Sequence, residues 1–387
     1  MKKVKVAFFA DILISDFDGA VRTMFQLINR IPANQFDFLF ICGLGPDRIR
    51  TFNCLHVSTL GFPGNKDYRF AMPFWQKMEL DEALDDFLPD IIHIATPSLL
   101  GNYALKAAKR LAVPVITIYH THFVSYVDYY IKYFPFLIDF TKQKVQEILT
   151  SFYNQCDIIY VPSVSIIQEL ENKGIRPDSM KLWERGIDRN LFSPDKRNPQ
   201  LMKSLTGNDK PCILFVSRLV WEKNLQTMID LYERIEQQPL KYNFVVAGEG
   251  VAREAIERQM PEATFLGHLE HDRLAEVYAS ADVFFFPSVS ETFGNVVLEA
   301  MASGLPCVIA DSGGSKDFVI NGDNGFKCRP YDAGDYLNRI HQVIQYPLLA
   351  KQFSENGLKL SQKYDWENLA SVYFGDLTSL SFDLLAV

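Results

Sequence analysis

The sequence predicts an α/β protein of two successive Rossmann-like units, each a parallel sheet covered by helices, facing each other across a central cleft. Three observations predict it. The 387 residues exceed what one ordinary core accommodates, so two units of about 100–200 residues each are expected. Short apolar runs alternate with helical patterns in both halves of the chain. Between the two sets lies Ser193-Pro194-Asp195-Lys196-Arg197-Asn198-Pro199, polar and punctuated by proline as a linker is. The expected boundaries are 1–192 for the first unit, 193–210 for the linker and 211–350 for the second unit. A helical segment over 351–387 is expected to pack back toward the first unit.

The first unit opens on a strand at Val4–Phe9 and a helix at Val21–Ile31. A strand at Phe36–Cys42, a helix at Asp81–Phe87, strands at Ile91–Ala95 and Pro114–Tyr119, and a helix from Leu137 to Asn154 follow. Ile158–Pro162 and Lys181–Trp183 complete it. These strands read as continuous apolar runs, the mark of a parallel sheet buried on both faces. The second unit repeats the order: strand Cys212–Val216, helix Leu225–Glu236, strand Asn243–Ala247, helix Ala252–Gln259, strand Thr264–Leu266, helix Arg273–Ser280, strand Ala281–Pro287, helix Asn295–Ser303. Gln345 to Leu384 reads as helical and carries Trp366, Tyr373 and Phe374. In such units the loops at the carboxyl ends of the strands receive the ligand.

Hydrophobic residues at 48% and charged residues at 22% are those of a soluble globular protein. A net charge of −8 argues against general nucleic-acid binding. Residues 1–190 hold 21 basic and 21 acidic side chains, and 191–387 hold 18 and 26, so the second half carries the whole deficit. The neutral half is compatible with an anionic membrane surface. Cys42, Cys54, Cys156, Cys212, Cys307 and Cys328 show neither CxxC nor metal-ligand spacing and read as buried thiols in a reducing cytosol. Lys2, Lys3 and Lys5 before an apolar run imitate a signal peptide, but Asp11 interrupts the run and no small-residue cleavage site follows. No apolar stretch reaches the roughly 18 residues that suggest a membrane span.

The stretch Phe284–Gly304 carries the most chemistry. It places Glu291 at a polar turn after a strand and Glu299 about two helical turns further on. Phe293, Gly294 and Asn295 open that helix, whose free backbone N–H groups suit an anion or a sugar hydroxyl. By themselves two such carboxylates also read as a helix cap and a solvated face residue. A second loop, Asp311-Ser312-Gly313-Gly314-Ser315, follows the next strand. Arg218 and Lys223 lie together in the loop after Cys212–Val216, where a planar fork and a mobile point charge suit a diphosphate; singly, each is equally a surface cation paired to a nearby acid. Gly248-Glu249-Gly250 also ends a strand, but Arg253 stands where a dinucleotide fingerprint needs its third glycine, and no Gly-rich turn follows the first strand, so hydride chemistry has little support. His268 and Leu269 close the following strand, their backbone placed for a nucleobase edge.

In the first unit Asp16-Phe17-Asp18-Gly19-Ala20-Val21-Arg22 joins the first strand to its helix, and Gly19 lets backbone approach a phosphate or sugar there. Asp16 and Asp18 also match a DxD metal motif, a three-residue pattern that chance often produces. His120 and His122 end the strand at Pro114–Tyr119; either reads as a sugar or acceptor contact or as a structural histidine. Phe123–Phe140 is dense in aromatics and reads as core, as an acceptor wall or as a membrane-interface surface.

Taken in order, these elements resemble glycosyltransferase family 4, retaining enzymes of the two-domain GT-B fold. The match runs through Asp18-Gly19-Ala20-Val21-Arg22, Tyr119-His120-Thr121-His122, Arg185-Gly186-Ile187-Asp188, Ser217-Arg218 with Glu222-Lys223, Gly248-Glu249-Gly250, and the Glu291 to Glu299 element with Gly313-Gly314. It is most similar to the branch of nucleotide-mannose-dependent α-mannosyltransferases and lipid glycosyl or sulfoquinovosyl transferases. The resemblance implies that Arg218 and Lys223 hold a donor diphosphate, Glu299 the ribose, and Glu291 with the Phe293 and Gly294 backbone the transferred sugar. It implies donor contacts for Gly19, Gly248, His268, Leu269 and Asn295, and places His120 near the sugar. Asp18 and His122 depart from the residues frequent at their positions and bear on the choice of sugar and acceptor. The implied reaction is hexosyl transfer from a nucleoside-diphosphate sugar to a lipid or saccharide, with the leaving phosphate taking the acceptor's proton. No further cofactor and no catalytic metal are expected. A cytoplasmic protein, peripheral on the inner face of the membrane, is the expected setting; a GT-B protein that binds the sugar nucleotide without transfer is the alternative.

Overall fold

In the computed structural model, which describes residues 2–15, 17, 19–62, 65–120, 135–239 and 241–383, the first half of the chain forms strands β1 to β10. They are β1 (Val4–Ile12), β2 (Phe36–Leu44), β3 (Arg48–Ile49), β4 (Phe52–His56), β5 (Thr59–Phe62), β6 (Asn65–Ala71), β7 (Ile91–Ile94), β8 (Val115–Ile118), β9 (Ile158–Val161) and β10 (Met180–Leu182). Eight of them make one sheet in the order β10-β9-β8-β7-β1-β2-β4-β3, parallel except for the β3–β4 pair. β5 and β6 form a separate antiparallel hairpin. The second half forms β11 (Cys212–Val216), β12 (Asn243–Ala247), β13 (Thr264–Gly267), β14 (Val283–Phe286), β15 (Cys307–Ala310) and β16 (Gly325–Cys328). These are parallel throughout, in the order β13-β12-β11-β14-β15-β16.

Every residue of β7, β8, β11, β14 and β15 is buried, as continuous apolar runs require when helices cover both faces of a sheet. The triple aromatic Phe284-Phe285-Phe286 shows the consequence. Phe285 packs edge-on against Phe244 and Tyr336, while Phe284 turns to the opposite face against Tyr278. The sites at the carboxyl ends of β11 and β14 therefore stand on rigid, buried strands, neighbours in the sheet.

Two boundaries differ from the sequence expectation. The second unit's core starts before residue 211: Phe192, expected in the first unit, and Leu201 and Met202, expected in the linker, are buried in it, and the Asn198 N–H donates to Ser280 Oγ at 2.9 Å. Polar composition at 193–199 reflects a surface path between apolar anchors. The segment after 350 also divides. The helix Pro347–Ser361 belongs to the second unit, with Phe353 in its core, whereas Trp366–Asp383 crosses to the first sheet. There Trp366, Tyr373, Phe374 and Leu377 are buried, each contributing roughly 1.5–3 kcal/mol.

Polar bonds fix the crossing helix in register. Trp183 Nε1 donates to the Leu369 carbonyl at 3.0 Å, and Asp376 accepts from Tyr160 OH at 2.7 Å and from Lys181 Nζ at 2.6 Å. Among the described residues no helix is long and apolar enough to cross a membrane. Asp376→Ala leaves the Tyr160 hydroxyl without its acceptor, at a cost of about 1–3 kcal/mol. In urea unfolding followed by tryptophan fluorescence, a lowered midpoint is expected, and an unchanged one would show that the crossing helix is held by apolar packing alone.

Candidate active site

Lys223 ends a short 3₁₀ turn, Trp221–Lys223, and the helix Leu225–Glu236 follows after Asn224. Lys223 is only 8% exposed, an unusual place for an ammonium. Its partner is Glu291, with Nζ to Oε1 at 2.6 Å, and Ser288 Oγ donates to the same oxygen at 3.0 Å. Burial pushes the Glu291 carboxyl up, but the Lys223 charge and hydrogen bond, with Ser288 and Arg218, outweigh it and hold the group below its ordinary value. An ammonium has three protons, so Lys223 can bond Glu291 and still present a donor to an anion. Arg218, with a side chain 55% exposed, adds a second cation in the same loop, with Glu222 at 3.8 Å.

The turn that carries Glu291 is held by the neighbouring loop. The Gly314 N–H donates to the Glu291 carbonyl at 2.7 Å, and Ser312 Oγ donates to the Val289 carbonyl at 3.2 Å. Gly294 caps the helix Asn295–Ala302 at φ +91°, where a Cβ would lie 2.5 Å from the Ser315 side chain. Glycine there is needed for both backbone angle and close approach. Asn295 Oδ1 and Ser315 Oγ are buried and have no hydrogen-bond partner among the described residues. Gly248 needs glycine for the same two reasons: its φ is +137°, and its backbone lies against the Ser217 carbonyl. His268 and Leu269 follow β13, with His268 exposed and Leu269 half-buried.

Glu299 is one face of the same helix. Tyr278 OH donates to its Oε2 at 3.1 Å. Burial raises its carboxyl, and the Arg22 charge and the Tyr278 hydrogen bond only partly offset this. Arg22 comes from the other unit, on the helix Gly19–Ile28, and its Nη1 donates to His271 Nε2 at 2.7 Å. Thus the helix that Gly19 opens reaches across the cleft.

Further bonds join the two units at the cleft floor. Thr292 Oγ1 donates to the His120 carbonyl at 3.1 Å, Ser163 Oγ donates to the Thr292 carbonyl at 3.1 Å, and Asp317 accepts from the Ser165 hydroxyl and N–H at 2.5 and 3.0 Å. His120 is 7% exposed and neither ring nitrogen has a partner among the described residues. Burial, then the charges of Arg185 and His93, hold it well below the ordinary histidine value, so it is neutral at physiological pH and offers one donor and one acceptor. Arg185 is buried between units, its guanidinium 5.9 Å from the Phe293 ring and within 3.9 Å of where a Gly19 Cβ would stand.

Arg218, Lys223, Glu291, Phe293, Gly294, Asn295 and Glu299 thus lie on neighbouring strand ends of the second unit, with Gly19 and His120 on the facing unit. Asp16, Asp18, His122 and most of Phe123–Phe140 lie outside the described residues. Tyr278, Ser288, Thr292, Arg22 and Arg185 are the additions of the structure. Arg22 and Arg185 stand inside motif runs, but nothing in their spacing tells that they cross between units. No group of three or more His, Cys, Asp or Glu among the described residues is placed to hold a metal ion.

Comparison with known proteins matches residues 17–191 to the family described as Glycosyltransferase Family 4 and residues 197–360 to Glycosyl transferases group 1. The GDP-mannose-dependent alpha-mannosyltransferase of Corynebacterium glutamicum is 30% identical, covering 92% of this chain and 83% of that protein. The sulfoquinovosyl transferase SQD2 of Arabidopsis thaliana is 32% identical over 77% of this chain, which spans 59% of the plant protein. Among solved structures, the sucrose-phosphate synthase of Thermosynechococcus elongatus superposes with a TM-score of 0.77 at 20% identity, over 99% of this chain and 100% of that one. HepE of Anabaena, solved with UDP and glucose, does so at 0.74 and 17%, over 97% and 100%. These two likenesses show the GT-B fold.

The raised carboxyl of Glu299 has a measurable sign. Its folded-state value lies above the unfolded one, near 4.5, so the native state holds a proton longer and loses stability as pH rises through that window. Glu299→Gln removes this loss. Unfolding titrations should find the variant more stable than the parent at neutral pH and the difference shrinking toward pH 4; a variant less stable at pH 7 would contradict the assignment.

Proposed function

The chain belongs to the family 4 glycosyltransferases, and from that premise we propose that it moves a hexose from a nucleoside-diphosphate sugar to a lipid or saccharide hydroxyl with retention at the anomeric carbon. The buried Lys223–Glu291 pair carries this reading, because it sets a fixed cation beside a fixed acceptor at the ends of two adjacent strands. The diphosphate lies against Lys223 and Arg218, the ribose against Glu299, and the sugar between Glu291, the Phe293 and Gly294 N–H groups, and His120. Gly19 brings a helix N-terminus to the diphosphate from the facing unit.

As the bond from the anomeric carbon to the diphosphate breaks, charge grows on the leaving phosphate, and Lys223 and Arg218 stabilise that charge most where it is greatest. The acceptor hydroxyl approaches on the same face and passes its proton to the departing phosphate oxygen. Glu291 bonds sugar hydroxyls rather than attacking: Lys223 and Ser288 both hold its Oε1 and fix the orientation of the carboxylate. Two cations in place of a metal make the reaction metal-independent in this reading. GDP-mannose is the first donor to test, since the Corynebacterium relative is named for it. The acceptor side is the first unit, whose neutral charge suits a peripheral position on the inner face of the membrane.

The deciding experiment incubates the protein with GDP-mannose, UDP-glucose, UDP-galactose and UDP-sulfoquinovose, with and without lipid acceptors, and reads released nucleotide and product configuration by NMR. Acceptor-dependent release with an α-linked product from an α-donor is expected, at undiminished rate in EDTA; inversion, or no donor bound, would overturn the proposal. Arg218→Ala should lower kcat/KM roughly 10- to 100-fold, as loss of one transition-state donor does, without shifting thermal unfolding, because that side chain is largely exposed. Unaltered kinetics would remove Arg218 from the diphosphate site.

A further inference from the structure

The edge of the first sheet brings together two thiols that the transfer reaction does not use. β2 and β4 pair in parallel with Phe40 opposite Cys54 and Cys42 opposite His56, so Cys42, Cys54 and His56 share one face. The two sulfurs are 3.2 Å apart, and Cys42 Sγ is 3.8 Å from His56 Nδ1. The far nitrogen of that ring, Nε2, lies 3.2 Å from Asp47 Oδ1. Cys42 is fully buried, whereas Cys54 is partly open to solvent.

We propose that Cys54 and Cys42 form a redox-active dithiol, with Cys54 as the thiol that attacks a small-molecule disulfide, Cys42 as the thiol that resolves the product, and His56 with Asp47 as the base that frees Cys42. The Cys54 thiolate attacks one sulfur of the disulfide, forming a mixed disulfide and expelling one thiolate. Cys42 then gives its proton to His56 Nδ1 and attacks Cys54 Sγ, closing the internal disulfide and expelling the second thiolate. The protein loses two electrons and two protons, and the small disulfide becomes two thiols.

Electrostatics agree with these roles. The Cys42 thiol, donating to Cys54, lowers the Cys54 value, and the same bond and then burial raise Cys42. Reactive thiols are the accessible, lowered ones beside a resolving partner. Bond formation needs the sulfurs about 1 Å nearer, at the usual ~2 Å. The shift falls on β4, whose outer neighbour is only the two-residue β3, so little of the sheet has to follow.

The test treats the reduced full-length protein with glutathione disulfide and follows free thiols, intact mass and crosslinked peptides. Loss of two of the six thiols with a Cys42–Cys54 link, reversed by dithiothreitol, is expected. Cys42→Ser should stop at a stable glutathione adduct on Cys54, Cys54→Ser should leave the remaining thiols unmodified, and His56→Asn should let the adduct form but slow its closure roughly tenfold. Thiols that stay inert in the folded wild-type protein, or adducts on other cysteines without a Cys42–Cys54 link, would overturn the proposal.

Discussion

A lysine and a glutamate of opposite charge, both almost removed from water, are the constraint on which the site depends. Neither could be buried alone, since an isolated ion in a protein interior costs several kcal/mol and shifts its protonation instead. Each is tolerable because the other lies 2.6 Å away. The pair then fixes what surrounds it: Lys223 must close a 3₁₀ turn that aims it at β14, and the turn after β14 must be clamped by Gly314 and Ser312 so that Glu291 stays in place. The result is charge that is preorganised, which is the form in which electrostatics accelerates a reaction.

The second unit supplies most of this rigidity, and the first unit is tied to it by hydrogen bonds at the cleft floor. Thr292 is the hinge of that contact, one residue beyond Glu291, donating to His120 and accepting from Ser163. The first unit thus bonds the chain one residue beyond Glu291. The crossing helix Trp366–Asp383 adds an apolar tie at the far side, so the units are joined there by the close packing of Gly186 on Trp366 and at the cleft floor by the polar contacts of Thr292 and Asp317.

Much of this is legible in the sequence. The buried strands announce themselves as apolar runs, Arg218, Lys223 and Glu291 fall in turns that follow them, and Glu299 lies on the helix after the last of these. Other parts are not. Residues 43–80 carry no clean period, and β3 to β6 there form by short pairings and a hairpin whose Leu60 and Phe70 stay exposed. The helix Val164–Asn172 is recognisable only once Ser163 is seen capping it and Asp317 of the other unit bonding Ser165. Tyr278 and Arg22 reach Glu299 from elements 21 and 277 residues away in the chain, a coupling no local pattern encodes. Gly248 carries a constraint that its motif does not state: its backbone angle and the neighbouring Ser217 carbonyl both require glycine. Likewise the proline-rich stretch at 193–199 has the composition of a linker, yet Leu201 and Met202 anchor its continuation in the core.

Whether the buried pair is the keystone is tested most directly by a double-mutant cycle on unfolding free energy with Lys223→Met, Glu291→Gln and the two combined. The account predicts that Lys223→Met alone, which strands a buried carboxylate, costs about 3–5 kcal/mol and that the double variant recovers much of it. Effects that simply add, with each single change costing less than about 1 kcal/mol as exposed pairs do, would contradict it.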